Sequence, residues 1–352
     1  VKSGNPGAGA DGKRQSTAAK PASIHDVARH AGVSIKTVSR VLNREPNVTQ
    51  QTRERVLSAV SELAYRPNIF ARSLASEKSF LIGLLFDNPS ASYVAGFQFG
   101  ALARCRDEGY HLIVEVFESG APDLGQRVLS LVRESALHGV ILTPPLCDSP
   151  AVLEALTRAE TPFVRVAPER PLPGARQVSI DDRQAAFDVA DYLVGLGHRR
   201  IGFIRGHPGH GASYLRYDGF CAALKKGGIE PDPDLVVQGY FSYQSGMEAA
   251  EKLLSLPTRP TAIFASNDDM AAAALATAHK YNLRTPEDLS VAGFDDSLVA
   301  QVVWPRLTTC RQPISEMAEA AVSMLAQRGA DGAMSRRLDH KLVVRESTAP
   351  PA

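Results

Sequence analysis

Two sets of side chains in this sequence have the types and spacing to do chemistry. The first lies between Ser34 and Arg44. Val38, Val41 and Leu42 share one side of a helical repeat, while Lys36, Arg40, Asn43 and Arg44 fall on the other. Ser34, Thr37 and Ser39 add hydroxyls near the start of that helix, where phosphate oxygens bind readily. A helix that buries one face and offers short polar and basic groups on the other can enter the major groove of duplex DNA. Periodicity by itself is also compatible with a three-helix bundle carrying a solvated basic face. The second set follows short apolar runs further along: Asn88 and Ser90 after the first, Asn267 and Asp268 after 261–265, and Asp295 after 291–294. Amides and carboxylates at strand ends can hydrogen-bond a polar ligand, and Tyr93 and Phe241 are candidate aromatic platforms by position.

Catalysis has weaker candidates. His207-Pro208-Gly209-His210 could suggest a metal, yet it reads as a turn and no H-E-x-x-H accompanies it. The pairs Asp181-Asp182, Asp268-Asp269 and Asp295-Asp296 could suggest acid/base work, but adjacent loop residues rarely point together. Residues 209–213 resemble neither a P-loop nor a dinucleotide fingerprint. No catalytic residue, metal site or cofactor is expected. Cys105, Cys147, Cys221 and Cys310 stand far apart with no C-x-x-C, which fits a reducing cytoplasm.

These residues need elements to hold them. Ser23 and Asp26 have the spacing of a capping box, and Ile24, Val27, Ala28 and Ala31 continue at helical spacing. Gly32 breaks the run, Ser34 starts a second helix, and Thr49 starts a third with Val56, Leu57, Val60, Leu63 and Ala64 expected on its buried side. Beyond Phe80 the pattern changes to apolar runs at 80–86, 111–116, 139–143, 162–166, 200–204, 261–265 and 289–293. Helical stretches at 94–108, 124–137, 185–197, 214–226, 245–255 and 270–281 alternate with them. That alternation predicts parallel sheets with helices on both faces, and its length predicts two α/β lobes.

Composition sets the outer bounds. With 352 residues, 44% hydrophobic and 22% charged, the chain is an ordinary globular sequence of two or three domains. No apolar run approaches the roughly 20 residues of a membrane span, and residues 1–22 read as a disordered arm without a secretion signal. The net charge of +1 hides an asymmetry: residues 1–78 carry 13 Lys+Arg against 6 Asp+Glu, and the remainder 26 against 32. A basic head on an acidic body points to a polyanion partner for the head.

The head carries a resemblance. Ile24-His25-Asp26-Val27-Ala28, Gly32-Val33-Ser34 and Thr37 through Asn43 resemble the DNA-binding head of the lactose-repressor family of bacterial transcription regulators. Leu63-Ala64-Tyr65-Arg66-Pro67-Asn68 and Ala71-Arg72-Ser73-Leu74 continue it. In the body, Leu196 through Gly202, Ser266-Asn267-Asp268, Val291 through Asp296 and Pro305 through Thr309 are similar as well. The resemblance implies a helix-turn-helix domain at 23–66, a hinge helix at 67–78 and an effector-binding and dimerisation domain at 79–347. It places Ile35, Lys36 and Arg40 where base-reading side chains sit, and Thr37, Ser39 and Asn43 at phosphate-contacting positions. Leu74, with Ala71 one turn back, matches a leucine that wedges into the minor groove.

The body resembles periplasmic sugar-binding proteins, a likeness the family shares. Its crossovers imply a proximal lobe of about 79–181 and 311–329, and a distal lobe of about 182–310 and 330–347. Arg216 matches the family's arginine ahead of Gly219-Phe220, and Gln312 falls near the third crossover. Two departures bear on the ligand: Val164-Arg165-Val166-Ala167-Pro168 stands where many relatives end the fourth strand in an acid, and Tyr214 where many have a basic residue. The resemblance thus implies a homodimeric repressor of a palindromic operator, answering to a sugar or glycoside, with a purine corepressor as the alternative. Trp304-Pro305-Arg306-Leu307 resembles a family dimer-interface segment, and no leucine heptad follows Arg345 to build a tetramer. A solute-binding protein would match the body but not the head.

Overall fold

The computed structural model describes residues 22–42, 46–65, 79–327 and 335–352. Most of the arm, Asn43 and Arg44, and the hinge segment with Ala71 and Leu74 lie outside the described residues. The chain divides into two units, Val1–Lys78 and Ser79–Ala352.

The first unit holds α1 (Ile24–Ala31), α2 (Ile35–Leu42) and α3 (Gln50–Glu62). Ser23 caps α1 in both directions: its Oγ accepts from the Asp26 amide, and the Asp26 carboxylate accepts from the Ser23 amide at 2.9 Å. Gly32 ends α1 at φ +61, a left-handed conformation that glycine adopts without a Cβ penalty. The turn then delivers Ser34, whose Oγ accepts from the Thr37 amide at 3.1 Å and starts α2. Val27, Ala28, Ala31, Val38, Val41, Val56 and Ala59 close the core. Leu57 and Ala64, expected on the inner side of α3, are exposed. At about 3.6 residues per turn the stripe through Val56 continues to Ala59, Val60 and Leu63, and Leu57 lies off it.

The second unit contains two six-stranded sheets. The first has the order β11-β5-β4-β3-β1-β2, with β1 Leu81–Phe86, β2 His111–Val116, β3 Gly139–Leu142, β4 Phe163–Val166, β5 Arg176–Ser179 and β11 Ser335–Arg337, all pairs parallel. The second has the order β12-β10-β9-β8-β6-β7: β6 Ile201–Arg205, β7 Val236–Gln238, β8 Ala262–Ala265, β9 Ser290–Asp295, β10 Thr308–Arg311 and β12 Lys341–Val343. Only β12 runs antiparallel to its neighbour among these pairs. Strands β3, β8 and β9 are buried throughout, which is why they read as unbroken apolar runs.

Helices cover both faces. The first lobe carries α4 (Ala91–Glu108), α5 (Leu124–Glu134) and α6 (Pro150–Arg158); the second carries α7 (Asp182–Gly195), α8 (Gly211–Lys226), α9 (Tyr243–Leu254), α10 (Asp268–Lys280) and α11 (Leu298–Val302). Helix α12 (Ile314–Ala326) returns to pack on α4 in the first lobe. The chain therefore crosses after β5 and after β10. The third crossing needs correction: Ser335–Arg337 pairs with β5, so the final distal segment starts beyond Arg337 rather than at residue 330. It also extends past 347, because the Ala349 carbonyl accepts from Ser290 Oγ and His198 Nε2.

Candidate functional site

On the head, α2 presents Ser34, Ile35 and Lys36 to solvent, with Thr37, Ser39 and Arg40 partly covered. Ile35 is 40% exposed, so it is not a core residue of this unit. Beneath it Val38 and Val41 are buried, the division a groove-reading helix requires.

The second site lies in the cleft of the body, beyond the carboxyl ends of strands in both sheets. A cavity of about 40 Å³ is lined by Asn88, Ser90, Tyr93, Arg216, Phe241, Asn267, Asp295 and Gln312, eight of the nine residues selected from the sequence. Pro144, Ala167, His210 and Ala212 complete the wall.

Arg216 is the electrostatic centre. It is 5% exposed; its Nε donates to Asp182 Oδ1 at 2.8 Å and its Nη1 to the Ser266 carbonyl at 2.6 Å. The guanidinium lies 3.7 Å from the ring centre of Phe294, and Asp295 Oδ1 stands 3.9 Å from Nη1. Gln312 Nε2 donates to Asp295 Oδ1 at 2.5 Å. Burial pushes the Asp295 carboxyl up to about 7, against the opposing pull of Arg216 and of the Gln312 hydrogen bond. Asp295 is thus poised to donate or accept a hydrogen bond near neutral pH.

The walls are held by bonds the sequence did not announce. Asn267 caps α10, its Oδ1 accepting from the Met270 amide and its Nδ2 donating to the Phe241 carbonyl. Ser90 caps α4 and donates 2.6 Å across the cleft to Asp269 Oδ2, a direct bond between lobes. Phe241 lies against Gly206, where an added methyl would stand 2.0 Å from the ring's Cζ. Ala167, Phe241 and Asp295 all adopt positive φ, at 45, 60 and 119°, strain of the kind that gathers at ligand sites.

Asp268 does not belong to this cavity. It is fully buried, and its carboxylate accepts from the Ser297 amide at 2.8 Å and from Thr309 Oγ1 at 2.6 Å. Those bonds tie it to β10 and to the loop that follows β9, so its role is to fasten the chain just beyond Asp295. Burial and the Asp295 charge push its carboxyl well above the usual range. The three aspartate pairs diverge throughout: Asp181 caps α7 while Asp182 meets Arg216, Asp269 meets Ser90, and Asp296 meets Arg311 and Arg345. Among the described residues no group of three His, Cys, Asp or Glu side chains could hold a metal. The same residues include no helix long and apolar enough to cross a membrane.

Asp182, Asp269 and His210 are the residues missed as site-builders. Asp182 had a signal, an acid opening a helix after a strand; Asp269 and His210 owe their places to tertiary packing.

A reading head of short helices joined to a two-lobed α/β body with a polar cleft defines a class: DNA-binding transcriptional regulators with a small-molecule sensing domain. Residues 23–68 match the bacterial regulatory proteins of the lacI family, and residues 190–348 match a periplasmic binding protein-like domain. The chain is 33% identical to the transcriptional regulator DegA of Bacillus subtilis over 93% of its own length and 98% of that protein's. It is 34% identical to the repressor CytR of Escherichia coli over 96% and 98%. A lac repressor dimer bound to operator and the anti-inducer ONPF superposes with a TM-score of 0.75 at 28% identity, covering 94% of this chain and 100% of that one. A complex of the regulator CelR with cellobiose gives 0.71 at 30%, covering 93% and 99%. The chain belongs to the lacI family of bacterial transcriptional regulators; its relatives are regulators, not enzymes.

Proposed function

We propose that the chain is a cytoplasmic repressor that binds a palindromic operator as a homodimer and releases or tightens its grip when a sugar or glycoside fills the cleft. Ile35, Lys36 and Arg40 read base edges, and Ser34, Thr37, Ser39 and Asn43 hold phosphates. Residues 67–78 act as the hinge, with Leu74 as minor-groove wedge and Ala71 on the same face. One observation carries the sensor half. The Phe241 ring borders a cavity whose polar groups include a guanidinium, a carboxylate and three amides, groups that pair with adjacent hydroxyls. The similar CelR structure holds cellobiose, which supports a carbohydrate here.

Dimerisation is supported by apolar side chains left in solvent: Phe99 on α4, Val116 on β2, and Leu298, Val302 and Trp304 on and after α11 are 62–82% exposed. Such surface marks interaction sites on soluble proteins. The similar lac repressor structure is a dimer on operator. An inducer must lower operator affinity and a corepressor must raise it.

A thermal-shift screen of sugars, glycosides and purines on the full chain tests the sensor. A ligand at 100-fold over its Kd adds roughly 2.7 kcal/mol of stability. A stabilising sugar that also changes operator affinity supports the proposal. A purine as sole stabiliser overturns the carbohydrate assignment.

A further inference from the structure

We propose that the flank of the second lobe carries a docking surface for an acidic segment of a partner protein, seated on Arg205 and on the tyrosines beside it, Tyr214 and Tyr217. Side chains alternate across the sheet along β6. Phe203 packs against Phe220 of α8, 4.6 Å between ring centres, and Arg205, two residues on, falls on the same face. Strand β7 is the edge of this sheet, and Arg205 stands opposite its last residue, Gln238. The arginine therefore emerges at the rim of the lobe, half-buried.

Aromatic rings meet it there, and no acid does. The guanidinium carbon lies 4.5 Å from the ring centre of Tyr217 and 5.5 Å from that of Tyr214, residues one turn apart on α8. Among the described residues Arg205 makes no hydrogen bond and no ion pair, and its Nε is buried without a partner. No other arginine nitrogen among them is left so. Asp218, next after Tyr217, is already bound to Arg183 at 2.5 Å. A buried donor without an acceptor is costly, and an arriving carboxylate removes that cost.

The surroundings suit a protein. Tyr214 is 50% exposed and lines neither space in the cleft, so its ring belongs to this flank rather than to the ligand site. Tyrosine and arginine dominate protein interfaces because they combine a large rigid contact area with a polar tip. A free inorganic anion would engage the guanidinium and leave the tyrosine ring in water. Charge disfavours a nucleic acid: residues 79–352 carry 26 Lys+Arg against 32 Asp+Glu, and Asp218 adjoins the site. One cation with exposed aromatic surface matches one Asp or Glu flanked by an apolar or aromatic residue.

The test begins with a display library of random dodecapeptides, selected on the full chain and counter-selected on Arg205→Gln. The expected peptides carry an Asp or Glu beside an apolar or aromatic residue and bind wild type at least about tenfold tighter than Arg205→Gln. Tyr214→Ala should weaken them as well. Arg205→Gln should keep the wild-type melting temperature, since it loses no hydrogen bond or ion pair. Arg205→Glu should reject these peptides and bind instead the same sequence with its acid changed to lysine, an exchange that misfolding cannot produce. Failure to recover any peptide that depends on Arg205 overturns the proposal, as does a peptide whose acid can be changed to the amide without loss. Inorganic phosphate or a single-stranded oligonucleotide that binds through Arg205 more tightly than every peptide overturns the protein assignment.

Discussion

Arg216 is bound so fully that its removal has two consequences. Asp182 is 3% exposed and accepts a hydrogen bond from that guanidinium. Arg216→Ala strands a buried carboxylate, a change that typically costs about 3–5 kcal/mol. Chemical denaturation of the variant should show a loss of that order, with partial recovery in the Asp182→Asn, Arg216→Gln double variant; an unchanged midpoint contradicts the pairing. Asp295 carries a second prediction. Its folded pKa of about 7 lies above the 3.8 of an ordinary aspartate, so the folded state binds the proton more tightly than the unfolded chain. The contribution is present at low pH and fades as pH rises through about 7. His210, driven down to about 3, acts with the opposite sign, and Asp268 is raised in part by the Asp295 charge, so the difference from wild type reports Asp295 together with Asp268. Relative to wild type, Asp295→Asn should gain stability between about pH 5 and pH 8; a pH-independent difference contradicts the assignment.

At the scale of elements, α2 is built to be held down and to read. Lys36→Ala leaves Val38 and Val41 in place and should relax base choice at one symmetric operator position by roughly 1–3 kcal/mol, measured by competition between operator variants. Equal losses on operator and random DNA contradict a base-reading role. Much of this level was legible in advance, for identifiable reasons. The Ser23–Asp26 box, Gly32 and Thr49 are local signals, and local signals set helix ends in the head. Buried strands such as β3 and β8 announced themselves as apolar runs. Short polar strands did not: Arg176–Ser179 and Ser335–Arg337 have little apolar pattern and exist because β4 and β5 offer open edges. That is also why the third crossover was misplaced. Asp268 was misassigned because sequence places it after a strand but cannot show which way its carboxylate turns; Thr309, 41 residues on, decides that.

At the scale of the molecule, a basic head and an acidic body share one chain. The lobes meet through crossovers and through the Ser90–Asp269 bond, so a ligand among Asn88, Arg216 and Asp295 touches both halves of that arrangement. A ligand that prefers one lobe arrangement shifts operator affinity by its differential binding, typically 1–3 kcal/mol in such systems. The most direct measurement is the affinity of the full chain for a palindromic duplex selected from a random pool, titrated against salt with and without the ligand found by the thermal-shift screen. The account predicts two chains per duplex, an affinity that falls steeply with salt as phosphate contacts dictate, and a change of at least about fivefold when the ligand is added. A chain that stays monomeric and ignores every duplex at low salt, or whose operator affinity is indifferent to its own ligand, contradicts it.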